Sequence, residues 1–171
     1  MGRSAENITE TVLVTIRDAT RESLTAAMPF LIVAAIAVVS AGVLAAAIAH
    51  APTQPWVWLV AYLVLVVGVA QGLLGATQAW LTKPAPSRPL RAIEFALFNI
   101  GNVGVMAGTL CASWPTVLAG TLLFAASLAL FLYSTRRARR GWPLHVYRLL
   151  LTSLIVGATI GLVLSAARHL P

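Results

Sequence analysis

Charged residues are sparse in this chain, and the gaps between them divide it. No charge lies between Glu22 and Lys83, between Glu94 and Arg136, or between Arg148 and Arg168. A helix crosses the hydrocarbon of a bilayer with about 20 mostly apolar residues. The first two gaps each hold two such helices and the third holds one. Prolines divide the long gaps: HAPTQP (50–55) and SWP (113–115) read as turns, since the residue before a proline is biased away from helix. The pattern predicts spans near 25–49, 56–81, 92–112, 115–135 and 145–167. The expected fold class is an all-α integral membrane protein, with five transmembrane helices preceded by an N-terminal amphipathic helix.

That leading segment, 1–24, differs in kind from the bundle expected over 25–171. It carries every acidic residue of the chain except Glu94. Asn7 and Glu10 have capping-box spacing, so a helix is expected to begin there. Ile8, Val12, Ile16 and Ala19 then share one face, opposite Glu10, Arg17 and Arg21. Such a helix lies on the inner membrane surface or docks a partner. AIA (47–49) mimics a signal-peptide cleavage site. The apolar run from Ala26 to Ala49 exceeds the roughly 7–15 residues of a signal, however, so the first span is expected to remain.

Basic residues set the orientation. All twelve Lys and Arg except Arg168 fall on one side of the predicted bundle, which the positive-inside rule makes the cytoplasmic side. The N-terminus is therefore expected inside and the C-terminus outside, in the bacterial cytoplasmic membrane. Trp56, Trp58 and Trp114 fall at outer span ends and Trp80 and Trp142 near inner ones, as in an aromatic belt. Composition agrees: 59% of residues are hydrophobic and 10% charged, against about 25% charged in soluble domains. The net charge of +7 and the run RRARR (136–140) invite a nucleic-acid reading. Topology and anionic lipid headgroups account for them instead, so no nucleic-acid partner is expected.

Catalytic constellations are missing. Glu94 is the only acid beyond the N-terminal segment; three residues after Arg91, it reads as half of an interfacial ion pair, or alternatively as a proton-relay carboxylate. His50, His145 and His169 share no helix face, although His50 and His169 are both expected at the outer surface, and no metal site is expected. Cys111 is the sole cysteine, which precludes an intrachain disulfide. No enzymatic activity and no bound cofactor are expected, with haem or quinone left open.

Small residues are present at close-packing spacing. Gly68, Gly72 and Gly75 fall on the second span, Gly101, Gly104 and Gly108 on the third, and Ser153, Gly157, Gly161 and Ser165 on the fifth. Such rows let helices approach in lipid. Polar amides accompany them: Gln71 and Gln78 on the second span, Asn99 and Asn102 on the third. An amide left unpaired in hydrocarbon is costly, so each is expected to find another amide, a backbone carbonyl, a water or a neighbouring subunit. The third span, with glycines on one stripe and amides on another, is expected at the centre.

VAQGLLGATQAWL (69–81), then RPLRAIEFALFNIGNVGVMAG (88–108) and a fourth span running into an Arg-rich loop, resembles small bacterial membrane proteins related to the haem–copper oxidase catalytic subunit. The resemblance spans about 24–140. In that family, histidines near the start of the second span hold haem or copper. Here WLVAYLVLVVG (58–68) contains none, so no ligand carries over, and the resemblance implies a scaffold without its cofactor. Three functions follow as expectations. The first is a non-catalytic subunit or assembly partner of a larger, respiratory-type membrane complex. The second is a homo-oligomeric transporter or channel with an amide-lined path. The third is a haem- or quinone-binding redox protein. Expected partners are lipids and other membrane subunits or further copies of this chain.

Overall fold

The structure, a computed structural model, describes residues 2–82, 86–138 and 141–167, with side chains from residue 17 onward except 19 and 137. Its helices run Gly2–Ile48, Gln54–Leu81, Arg88–Leu110, Trp114–Ser134 and Trp142–Ala167. The segment Thr20–Ile48 and the other four helices are each long and apolar enough to cross a membrane. No strand occurs among the described residues. Each helix from the second to the fifth has proline as its second residue (Pro55, Pro89, Pro115, Pro143). Proline fits there because the first turn has no use for its missing N–H and its fixed φ is already helical.

The N-terminal segment departs from expectation. It is not a separate surface helix: one helix runs unbroken from Gly2 to Ile48, past both the expected start at Asn7 and the expected boundary at 24. The joint holds no helix breaker. Leu24, Ala26 and Ala27 are strong helix formers, and the Thr25 hydroxyl donates back to Arg21 O at 2.8 Å. Pro29 sits inside the helix without ending it. At 1.5 Å per residue the helix is about 70 Å long, so its polar N-terminal part extends well past a core of about 30 Å. The amphipathic face at Ile8, Val12, Ile16 and Ala19 lies outside the described side chains. So do Lys83, Arg137, Arg139, Arg140, Arg168 and His169, on which part of the orientation argument and the expected outer placement of His169 depend.

The first helix packs along the second, and the third forms a tight hairpin with the fourth. Gly68 and Gly72 meet Val38 and Ala34 of the first helix, and Gly75 faces Phe30. The hairpin turn is short: Ala112 takes a left-handed conformation (φ 50°), and Ser113 N donates to Gly108 O at 2.8 Å. These bonds close the helix end as a left-handed C-terminal cap does, here with alanine where glycine is usual. The hairpin brings backbones together. A Cβ on Gly101 would lie 2.6 Å from Phe124 N, and one on Gly104 would lie 2.9 Å from Gly120 Cα. Gly108 meets Val117 in the same way. The third-span glycine row is thus a helix contact.

Aromatic rings join the two pairs of helices at the centre. Phe30 meets Phe95 at 5.3 Å and Phe131 at 5.7 Å; Phe98 meets Phe124 at 5.2 Å. The fifth helix joins this core at Leu144, Tyr147 and Leu151, with Leu154 and Ala158 packed against it further along. Leu149, Val156, Ile160 and Val163 on its outside are exposed, like Val39 and Val43 of the first helix. So continuous an apolar surface suits a lipid environment.

The second helix changes its winding midway. Residues Leu63–Ala70 form a π-helical stretch, with Gln71 N donating to Val66 O. A wide turn accommodates about one extra residue, removing roughly 100° of rotation. In a uniform α-helix Tyr62 and Gln78 would project about 160° apart; the π stretch reduces this to about 60°. Both side chains consequently reach the third helix.

Candidate functional site

Two places concentrate polar groups. One centres on Glu94, about 9 Å into the third helix by its rise of 1.5 Å per residue. Glu94 is fully buried. Gln78 Nε2 donates to its Oε2 at 2.9 Å, and the Ser134 hydroxyl contacts its Oε1. The helix continues to hold Gln78 in place through Thr82, whose hydroxyl donates to Gln78 O at 2.7 Å. The expected ion pair with Arg91 does not form. Arg91 is close enough for its charge to act on Glu94, yet its Nε is buried without a hydrogen-bond partner. The physical reason is burial: the carboxyl turns into the bundle toward Gln78 and Ser134, while Arg91 is one turn nearer the helix end. Tyr147 of the fifth helix completes the cluster. It is 1% exposed, it lies close enough to Glu94 to couple to it electrostatically, and its hydroxyl has no partner.

The other place is a cavity of about 460 Å³ between the second, third, fourth and fifth helices. Trp58, Tyr62 and Val66 form one wall, Val105 and Thr109 a second, and Val117, Thr121 and Phe124 a third. The fifth helix contributes Ser153, Gly157, Gly161 and Ser165. This is the small-residue row expected to pack, but a Cβ on Gly157 or Gly161 would meet nothing within 4 Å. Leu154 and Ala158 still pack against the core, but the glycines beside them face open space. The row shapes a cavity.

Three of the wall oxygens share one property, while Gln54, Trp58, Ser153 and Ser165 also line the cavity and can donate. Tyr62 Oη donates to Asn102 Oδ1 at 2.6 Å, Thr109 to Val105 O at 2.7 Å and Thr121 to Val117 O at 2.8 Å. Their hydrogens are committed, so toward the cavity they can only accept. No lining residue carries a charge.

The amides are distributed differently from expectation. None of Gln71, Gln78, Asn99 and Asn102 lines the cavity. Asn99 donates to Phe95 O and Asn102 to Phe98 O, each at 2.8 Å; Asn102 also accepts from Tyr62 and is 1% exposed. Gln71 is fully buried, and both its amide atoms lack partners. Sequence reasoning missed Tyr62, Ser134 and Tyr147. One signal pointed to such residues: a lone acid at depth demands donors from facing helices.

The Tyr62–Asn102 bond links the second and third helices. Tyr62→Phe should cost about 0.6–2 kcal/mol, the range for interhelical polar pairs in lipid. Combining it with Asn102→Leu should cost less than the sum of the single changes in a double-mutant cycle of detergent unfolding. Strict additivity would show that the bond contributes nothing.

Among the described residues no group of three or more His, Cys, Asp or Glu is placed to hold a metal ion. No protein-family model, curated protein or solved structure matches this chain.

Proposed function

We propose that this chain is a non-catalytic, multi-pass protein of the bacterial cytoplasmic membrane, N-terminus inside, that holds a neutral lipid-soluble molecule in the outer cavity. The cavity carries the reading. About 460 Å³ of space, uncharged walls and a polar edge made of Tyr62, Thr109 and Thr121 match the usual form of a small-molecule site. Because the lining holds acceptors and donors alike, the favoured occupant brings a hydroxyl, which does both, as a prenylated quinol or alcohol does. Service in a larger respiratory-type complex belongs to the same proposal. It is supported by the long first helix, whose polar N-terminal part stands clear of the hydrocarbon.

Solvent extraction of the purified, mildly solubilised protein followed by mass spectrometry tests this. Near-stoichiometric recovery of one neutral hydroxyl-bearing lipid is expected. Recovery of bulk phospholipid alone, in the proportions of the source membrane, would sink the reading.

A further inference from the structure

The single hydrogen of Ser134 has two candidate acceptors, and its choice bears on whether Glu94 carries a proton. Ser134 Oγ lies within hydrogen-bond distance of two acceptors, Glu94 Oε1 and Leu130 O, the latter at 2.9 Å. A serine hydroxyl has one hydrogen. Bonding to the carbonyl four residues back is a habit of helical serines, and Thr109, Thr121 and Thr152 follow it here. If the Ser134 hydrogen points to Leu130 O, the contact with Oε1 needs a second hydrogen, and the carboxyl is the group able to carry it. Oε2 meanwhile accepts from Gln78.

The unused donors argue the same way. A carboxylate offers about four lone-pair positions, and a buried one gathers every donor in reach. Arg91 Nε and Tyr147 Oη are buried near Glu94 and donate to nothing. They stand in reserve. From the facing helices the second contributes the neutral Gln78, the fourth the neutral Ser134, and the first only Phe30 against the adjoining Phe95. Among the described residues, Arg91 is the titratable group that acts on Glu94, and Tyr147 is one on which Glu94 acts.

We propose that Glu94 is a proton-binding site on the inner side of the membrane. The structure holds the protonated form, in which Glu94 donates to Ser134. On release the carboxyl O–H bond breaks, and the proton passes to water at the inner surface, alongside half-buried Arg91, which stays protonated throughout. The Ser134 hydroxyl then turns to the carboxylate, and Tyr147 Oη and Arg91 Nε supply the remaining bonds. This site is independent of the outer cavity.

A hydrophobic carbodiimide tests the proposal, because it modifies protonated carboxyls within apolar surroundings. The full-length protein in mild detergent is treated with dicyclohexylcarbodiimide across a pH series, and adducts are mapped by peptide mass spectrometry. Expected is an adduct on Glu94 at pH 7 that diminishes as pH rises, with none on Glu22. Tyr147→Phe removes a donor reserved for the ionised form, so its labelling should persist to higher pH than in the unmodified chain. Infrared spectra of the unmodified chain should carry a neutral carboxylic-acid band that Glu94→Gln removes. Absence of a Glu94 adduct at pH 7, or a Glu94 band of ionised type alone, overturns the proposal. So does a Tyr147→Phe labelling profile that coincides with the unmodified chain's. The labelling of the unmodified chain decides the matter even if Glu94→Gln fails to fold.

Discussion

Gly120→Ala should lower stability by about 3 kcal/mol or more, and Gly120→Val should leave no folded bundle to purify. Overpacking ordinarily costs about 1–3 kcal/mol because neighbouring side chains adjust. Gly120 has no such neighbours. A Cβ there would lie 2.5 Å from Val105 N, 2.7 Å from Gly104 C and 2.8 Å from Gly101 O. All three are backbone atoms of the third helix, and they move only if the hairpin opens. Opening forfeits the close packing that drives helix association where no hydrophobic effect operates between helices. Gly75 is constrained as well, since its added Cβ would meet Phe30 Cβ and Cγ, and turning the ring leaves Cβ where it is. Gly42→Ala, with open space around it, is the matched control and should be neutral. Unfolding in a graded series of denaturing detergent, followed by circular dichroism, measures all of these. Gly120→Ala at unaltered stability would mean that the third and fourth helices do not touch as described.

The second large effect concerns binding with stability spared. Gly157→Leu combined with Gly161→Leu should reduce recovery of the extracted lipid at least tenfold, while the unfolding midpoint stays the same or rises slightly. Neither position has an atom within 4 Å of an added Cβ, and both line the cavity. The two leucines would therefore occupy space meant for the ligand and add packing contacts between the fourth and fifth helices. Undiminished lipid recovery in a folded double variant would place the ligand elsewhere and empty the cavity of its assigned role.

These two glycine sets show where sequence stops informing structure. Gly101, Gly104 and Gly108 carry the same small-residue spacing as Gly157 and Gly161. The first set meets the fourth helix, whereas the second lines a cavity. Spacing records what a backbone permits and is silent about whether a neighbour takes advantage of it. Span positions were far more legible, because the charge gaps and the prolines at 55, 89, 115 and 143 act on the local chain alone. The Arg91–Glu94 reading failed for the complementary reason. An i, i+3 rule considers one helix, whereas the actual partners Gln78 and Ser134 are 16 and 40 residues away. The amides fell between these cases: carbonyl partners for Asn99 and Asn102 were anticipated, but the Tyr62 partner was not. Its reach depends on a π stretch that no residue pattern in LVLVVGVA announces.

That stretch makes the second helix two pieces on one swivel. Its inner piece carries Gln78 to Glu94, and its outer piece carries Tyr62 and Trp58 to the cavity. Were the wide turn to migrate by one residue along 63–70, only the side chains it passes would change face, while Tyr62 and Gln78 kept theirs. Loss of a single residue there would unwind the π stretch and turn the outer piece by about 100°. The length of this helix, more than the identity of any one residue in it, therefore governs whether the two sites face the same neighbour.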